Sequence, residues 1–129
     1  MDSARNEMTR RVAFVAEDDD LNQAYCSMVV MDIHHLPVLR EGKVVGILSD
    51  RDILLHARKK NGRVEVTNKK VRDVMSLKVV SCLPGTSIAT VADLMLEHRI
   101  HGLPVVNPDG SLVGMITSTD LIGLLRNPG

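Results

Sequence analysis

The sequence predicts an α+β fold made of two βαββα repeats that pack on one another through their sheets as a pseudo-twofold pair. Three observations lead there. The first is an internal repeat. His34-His35-Leu36-Pro37-Val38-Leu39 returns as His101-Gly102-Leu103-Pro104-Val105-Val106, 67 residues later. Gly42-Lys43-Val44-Val45-Gly46-Ile47-Leu48-Ser49-Asp50-Arg51-Asp52 returns as Gly110-Ser111-Leu112-Val113-Gly114-Met115-Ile116-Thr117-Ser118-Thr119-Asp120, 68 residues later. Met8, Val12, Met28 and Ile33 match Met75, Val79, Met95 and Ile100, which brings the ordered identities to twelve. The second observation is where the offset changes. It falls between Arg40-Glu41-Gly42-Lys43 and Asn107-Pro108-Asp109-Gly110-Ser111, two turn-forming stretches, and turns absorb an extra residue where strands do not. The third is size. One unit of about 55 residues leaves a sheet face and helix faces bare, and two such units can bury them on each other.

The elements follow in the same order in both copies. In the second, residues 79–82 form a short apolar strand. Pro84-Gly85-Thr86-Ser87 is a turn in which Thr86 or Ser87 can cap the next helix. Ile88, Val91, Ala92, Met95 and Leu96 recur at helical spacing. Residues 103–106 and 112–117 are strands around the Pro108-Asp109-Gly110 turn. A last helix carries Leu121, Ile122, Leu124 and Leu125. The first copy repeats this as a strand at 12–16, a helix at about 20–33, strands at 36–40 and 43–48, and a helix from 50 to about 60. Asn61-Gly62 is read as the stop of that helix. Asp18, Asp19 and Asp20 are read as an N-cap and favourable charge at the positive helix end rather than as a metal site.

Composition narrows the function. The 16 Lys and Arg balance 16 Asp and Glu, which argues against a surface devoted to gripping nucleic acid. Phe14 and Tyr25 are the only aromatics, too few for a row of base-stacking platforms. Cys26 and Cys82 stand in no metal or disulfide spacing and read as two reduced core thiols. No apolar run reaches the ~18 residues that cross a bilayer. The residues from Met1 to Glu7 lack the apolar region of a secretory signal. A cytoplasmic protein is expected.

Leu-Pro-Val followed by Gly, two apolar residues, Ser or Thr and then Asp occurs twice, each time with an upstream Met8-Thr9 or Met75-Ser76. In this pattern the chain resembles the CBS domain, named for cystathionine β-synthase, in its tandem or Bateman arrangement. The resemblance runs from about Met8 to Arg126. It implies a non-catalytic sensor that binds an adenosine-containing nucleotide (AMP, ADP or ATP) in clefts between its repeats, requires no cofactor, regulates an unidentified protein, and pairs into a homodimer through its helices. Asp52 and Asp120 would accept hydrogen bonds from ribose hydroxyls, and Ser49 and Thr117 would contact ribose or phosphate. A carboxylate can accept both hydroxyls of a cis-diol, and the free N–H groups of a helix's first turn favour phosphate. The same residues equally suit helix caps and first-turn charge.

His98-Arg99-Ile100-His101 resembles the phosphate-binding stretch of the gamma subunit of AMP-activated protein kinase. Arg holds phosphate with its planar fork and His donates a hydrogen bond. A polar helix end explains His98 and Arg99 as well. The first copy has Met31-Asp32-Ile33-His34 there, and Asp32 would repel phosphate, so two unequal clefts are expected. Pro37 and Pro104, with their Leu and Val neighbours, are candidate walls of an adenine slot, along with residues 12–15, residues 79–82, Phe14 and Tyr25. Most of these would also serve as plain core.

No catalytic set and no metal site is expected. His98 and His101 lack partners at metal-ligand spacing, and no nucleophile, base and orienting group stand together. The chain divides as an N-terminal segment (1–7), a first repeat (8–62), a basic linker (63–72) and a second repeat (73–129). Residues 58–72 hold seven Lys or Arg against Glu65. They read as a solvated helix end and linker, or else as a rim attracting polyphosphate or an acidic partner. Nucleic acid and membrane are not expected as partners. Nucleic-acid binding through this segment would show as a steep salt dependence. The alternative to the sensor is an interaction scaffold with empty or vestigial clefts.

Overall fold

The computed structural model describes residues 3–66 and 68–126. It divides into two compact units. One is contiguous, Ala13–Val79. The other is composite, joining the described residues up to Val12 to those from Val80 onward.

In the contiguous unit, β1 (Val15–Ala16) pairs in parallel with β2 (His35–Arg40), which pairs antiparallel with β3 (Lys43–Ser49). Helix α2 (Leu21–Met31) begins where the Asp20 carboxylate accepts the Gln23 N–H at 3.1 Å, an N-cap that satisfies one of the unpaired donors of the first turn. The Asp19 carboxylate accepts the Ala16 N–H and Asp18 pairs with Arg72. All three acids are thus committed to local structure. Leu21, Ala24 and Met28 put one face of α2 into a core with Leu36, Val38, Leu48, Ile53, Val66 and Val71. That spacing turns Cys26 outward. Its side chain is exposed and only Cys82 is buried, which corrects the reading of two core thiols. Burial pushes the Cys82 thiol up to about 11.

Helix α3 spans Asp50–Leu55, capped by Ser49. Here the structure departs from the expected helix to residue 60. The chain turns at His56 into β4 (Ala57–Lys60), reverses through Asn61-Gly62, and returns as β5 (Arg63–Val66). Asn61 and Gly62 both have positive φ, 52° and 76°, the geometry of a two-residue hairpin turn whose twist matches the strands it joins. Asn-Gly here reverses a ribbon instead of stopping a helix. Most of the expected basic linker is therefore β5 and a short 3-10 turn at Val71–Asp73.

In the composite unit, α1 (Ala4–Glu7) precedes α4 (Ile88–His98), β6 (Gly102–Val106), β7 (Leu112–Thr117) and α5 (Ser118–Arg126). Ser87 caps α4, accepting the Thr90 N–H at 3.2 Å, while the Thr86 hydroxyl accepts the Leu83 N–H in the turn before it. The strand expected at 79–82 reduces to a parallel bridge from Cys82 to Val105. Ala4, Met8, Cys82, Val91, Met95, Leu103, Val105 and Ile116 form this core.

The two hairpins share their irregularities. β2–β3 shifts register between Val38 and Leu39, and β6–β7 between Val105 and Val106. The extra residue of the second copy lies in the turn closed by the Asn107 N–H to the Ser111 carbonyl.

The upstream Met-Thr and Met-Ser segments explain the motif glycines. Met75 and Ser76 lie across β3, with mutual hydrogen bonds between the Ile47 and Ser76 backbones. A Cβ at Gly46 would stand 2.7 Å from the Met75 sulfur. Met8 and Thr9 lie likewise across β7, where a Cβ at Gly114 would stand 2.7 Å from the Thr9 carbonyl oxygen. Each segment thus closes the hairpin of the other sequence repeat. The spatial units exchange these segments relative to the division in chain order.

Candidate functional site

Each copy of the Ser/Thr–Asp motif sits at a strand-to-helix junction. In the composite unit, β6 and β7 align Gly102 with Thr117, and the Ser118 N–H donates to the His101 carbonyl at 2.7 Å. The pairing register therefore brings the His98–His101 stretch, which ends α4, beside the Thr117–Asp120 motif that begins α5. In the contiguous unit, His35 aligns with Ser49 and the Asp50 N–H donates to the His34 carbonyl at 3.1 Å. The geometry is the same, but its occupants differ.

The two aspartates are engaged differently. The Asp120 carboxylate accepts the Thr117 N–H at 2.8 Å and the Thr117 hydroxyl at 3.1 Å. The Asp120 N–H reaches the Thr117 hydroxyl at 3.4 Å. This is a reciprocal cap. At the other junction the Asp52 N–H donates to the Ser49 hydroxyl at 3.0 Å, and the Asp52 carboxylate takes no hydrogen bond among the described residues. Both acids are half-buried. One is used by its own helix and the other has open lone pairs.

α2 and α4 end alike. Asp32 and Arg99 adopt the left-handed conformation, φ 52° and 53°. The Ile33 and Ile100 N–H groups then reach back to the Met28 and Met95 carbonyls at 3.0 Å, the Schellman closure that usually employs glycine. Asp tolerates this conformation better than Arg does. His98, Arg99 and His101 are all exposed, and none of their side chains has a hydrogen-bond or ion-pair partner among the described residues. A cationic group is thus held in a costly backbone conformation with its donors free.

Sequence reasoning did not single out the pair His34 and Asp50. The His34 Nδ1 lies 2.7 Å from Asp50 Oδ2. The hydrogen bond and the charge of Asp50, with help from Asp32, hold the imidazole above its usual 6.5. Burial works to raise the Asp50 carboxyl, but the His34 bond and the Arg51 N–H outweigh it and lower it. The only signal was the alignment of Asp50 with Ser118, which cannot form such a pair. A pocket of about 200 Å³ beside this pair is walled by Tyr25, Asp32, His34, Asp50 and Leu54 among others. Two carboxylates in its wall make it poor for phosphate.

Pro37 and Pro104 are buried within β2 and β6, and the Pro104 carbonyl accepts the Cys82 N–H at 3.1 Å. Phe14 is 57 % exposed. No group of three or more His, Cys, Asp or Glu among the described residues could hold a metal ion. No described helix is long and apolar enough to cross a membrane.

The doubled hairpin, its closing Met segment and its junction motif define a tandem-repeat α+β module. The CBS domain family model matches residues 4–59 and 71–127, and the chain belongs to that family as a tandem pair. It is 33 % identical over 123 residues to the CBS domain-containing protein YhcV of Bacillus subtilis, covering 94 % of this chain and 84 % of YhcV. Among solved structures it is similar to MJ1225 of Methanocaldococcus jannaschii, proposed as an archaeal homologue of g-AMPK, with TM-score 0.84 and 27 % identity. That match covers 95 % of this chain and about half, 47 %, of MJ1225. It is also similar to the CBS domain pair of protein MJ0100, solved in complex with 5′-methylthioadenosine and S-adenosyl-L-methionine. That TM-score is 0.79 at 25 % identity, covering 99 % and 98 % of the two chains.

Proposed function

We propose that the chain is a non-catalytic regulatory module that binds an adenosine-containing nucleotide at its strand-to-helix junctions. The observation that carries this reading is the register of β6 and β7. It pairs Gly102 with Thr117 and ties the His101 carbonyl to the Ser118 N–H, so the chain stretch carrying His98, Arg99 and His101 leads into the junction that carries Thr117 and Asp120. The adenosine ligands of MJ0100 support the same ligand class. AMP, ADP and ATP fit the phosphate donors best, because the composite unit offers Arg99 where the contiguous unit has Asp32, and its His101 stands where the contiguous unit's His34 is held by Asp50.

The module acts cytoplasmically, as a homodimer formed through its helices, on a separate regulated protein. The helices expose Val30, Leu55, Leu96, Ile122 and Leu125, side chains that pairing through the helices would cover. Regulation requires that the nucleotide bind one conformation more tightly than another.

A thermal-shift series with AMP, ADP, ATP, NADH, S-adenosylmethionine and cyclic di-AMP tests the reading. A ligand at a hundred times its Kd stabilises by about 2.7 kcal/mol. Stabilisation by at least one adenosine nucleotide, reduced in Asp52→Ala or Asp120→Ala, is expected. Stabilisation by none would replace the sensor with an interaction scaffold.

A further inference from the structure

The basic segment that the nucleotide site does not use is a freestanding ribbon. Only its root is anchored, with Val66 8 % exposed in the core of the contiguous unit. Every residue from Arg58 to Glu65 is exposed, including Val64 at 56 %. Over those eight residues the net charge is +3, from Arg58, Lys59, Lys60 and Arg63 against Glu65, in a chain whose total is zero. The pairing register puts Arg58, Lys60, Arg63 and Glu65 on one face and Lys59 and Val64 on the other. Cations therefore project from both faces. One flank of β5 opens into a cleft of about 430 Å³ lined by Asn22, Arg63, Val64, Glu65, Val66 and Asn68. Two amides and a guanidinium can donate there, and the Glu65 carboxylate opposes them.

We propose that the β4–β5 ribbon is a docking surface for double-stranded DNA, entering the major groove without strong sequence preference. The three exposed residue pairs beyond the Ala57–Val66 root, at ~3.3 Å per residue, make a free ribbon about 10 Å long. The B-form major groove, ~12 Å wide and ~8.5 Å deep, admits a two-stranded ribbon. Phosphates wall that groove on both sides, matching cations on both faces, whereas an acidic protein patch would meet one face. No aromatic residue lies between Ala57 and Arg72, which removes the stacking that single strands require. The deep, narrow major groove of A-form RNA excludes such a ribbon.

The test is fluorescence anisotropy of the full chain with a labelled duplex of about 20 base pairs. Four phosphate contacts give a salt slope of about −3.6, a loss of affinity on the order of a hundredfold between about 50 and 200 mM salt. The exposed triple variant Arg58→Ala, Lys60→Ala, Arg63→Ala should bring the slope close to −1, with an unchanged thermal transition. Should that variant unfold, Lys59→Glu alone should weaken binding about tenfold at low salt. An absence of binding at low salt would overturn the proposal. So would variants that bind like the parent, or equal or tighter binding of single-stranded DNA, duplex RNA or polyglutamate.

Discussion

Met75 lies across Gly46 so closely that its sulfur stands 2.7 Å from where a Cβ would be, and Met8 lies across Gly114 with its sulfur 2.9 Å from the corresponding point. The two glycines let a Met segment close each hairpin. An added methyl group must displace that segment. Gly46→Ala and Gly114→Ala should each lose about 1–3 kcal/mol, the range for overpacked sites. Gly114→Ala should lose more, because its nearest neighbour is the Thr9 backbone oxygen, while the first obstacle at Gly46 is a flexible side chain. Urea midpoints of the two variants check both the size and the order.

Asp52 and Asp120 should separate ligand binding from helix capping. Removing the Asp120 carboxylate strips the Thr117 N–H and hydroxyl of their acceptor, and Asp120→Ala should cost about 1 kcal/mol as caps generally do. Asp52→Ala removes no such bond and should stay within about 0.5 kcal/mol of the parent. Both should weaken nucleotide binding. Denaturation and titration calorimetry on the same two proteins would show whether the effects divide this way.

Arg99 holds a left-handed backbone conformation that costs a non-glycine residue about 1 kcal/mol. Arg99→Gly should therefore raise stability by roughly that amount while lowering affinity for phosphate-bearing nucleotides. Asp32→Gly should gain less, since Asp visits this region more readily. Calorimetry should find fewer than two tight AMP or ATP sites per chain. Two equal tight sites would contradict the difference between the Asp32 and Arg99 junctions.

His34 gives the fold a pH dependence of definite sign. Its folded-state value lies above the usual 6.5 because Asp50 accepts its hydrogen bond. The folded state therefore binds that proton more tightly than the unfolded chain. The stabilisation is complete below pH 6.5 and disappears as pH rises through the higher folded-state value. His34→Gln should remove this slope. Urea midpoints of parent and variant between about pH 5.5 and 8.5 should converge at the alkaline end.

Much of the architecture was legible because the chain states it twice. The strands around Leu36-Pro37-Val38 and Leu103-Pro104-Val105, and the caps Asp20, Ser49 and Ser87, all follow from local chemistry that needs no distant partner. The ribbon was missed for a local reason. Arg58-Lys59-Lys60 has no apolar alternation, and only Val64 and Val66 carry a period of two. The capture of Gly46 by Met75 and of Gly114 by Met8 was missed for a tertiary one, since an identity between two methionines does not say which hairpin each will cover. The junction motif itself was legible. That Asp120 serves its own helix while Asp52 stays open depends on side-chain geometry, and the sequence shows the same acid in both places.

The exchanged closing segments also give the two units loops of very different length to close. One unit is drawn from a single stretch, residues 13–79, in which Met75 lies 29 residues beyond the Gly46 it covers. The strap at Met8-Thr9 reaches its partner Met115 across more than a hundred residues. Loop-closure cost grows only logarithmically with separation, so the longer loop costs about 1 kcal/mol more than the shorter one. Ala4 and Met8 share one core with Cys82, Val91 and Met95 as well as with Ile116, so this segment ties both ends of the composite unit together.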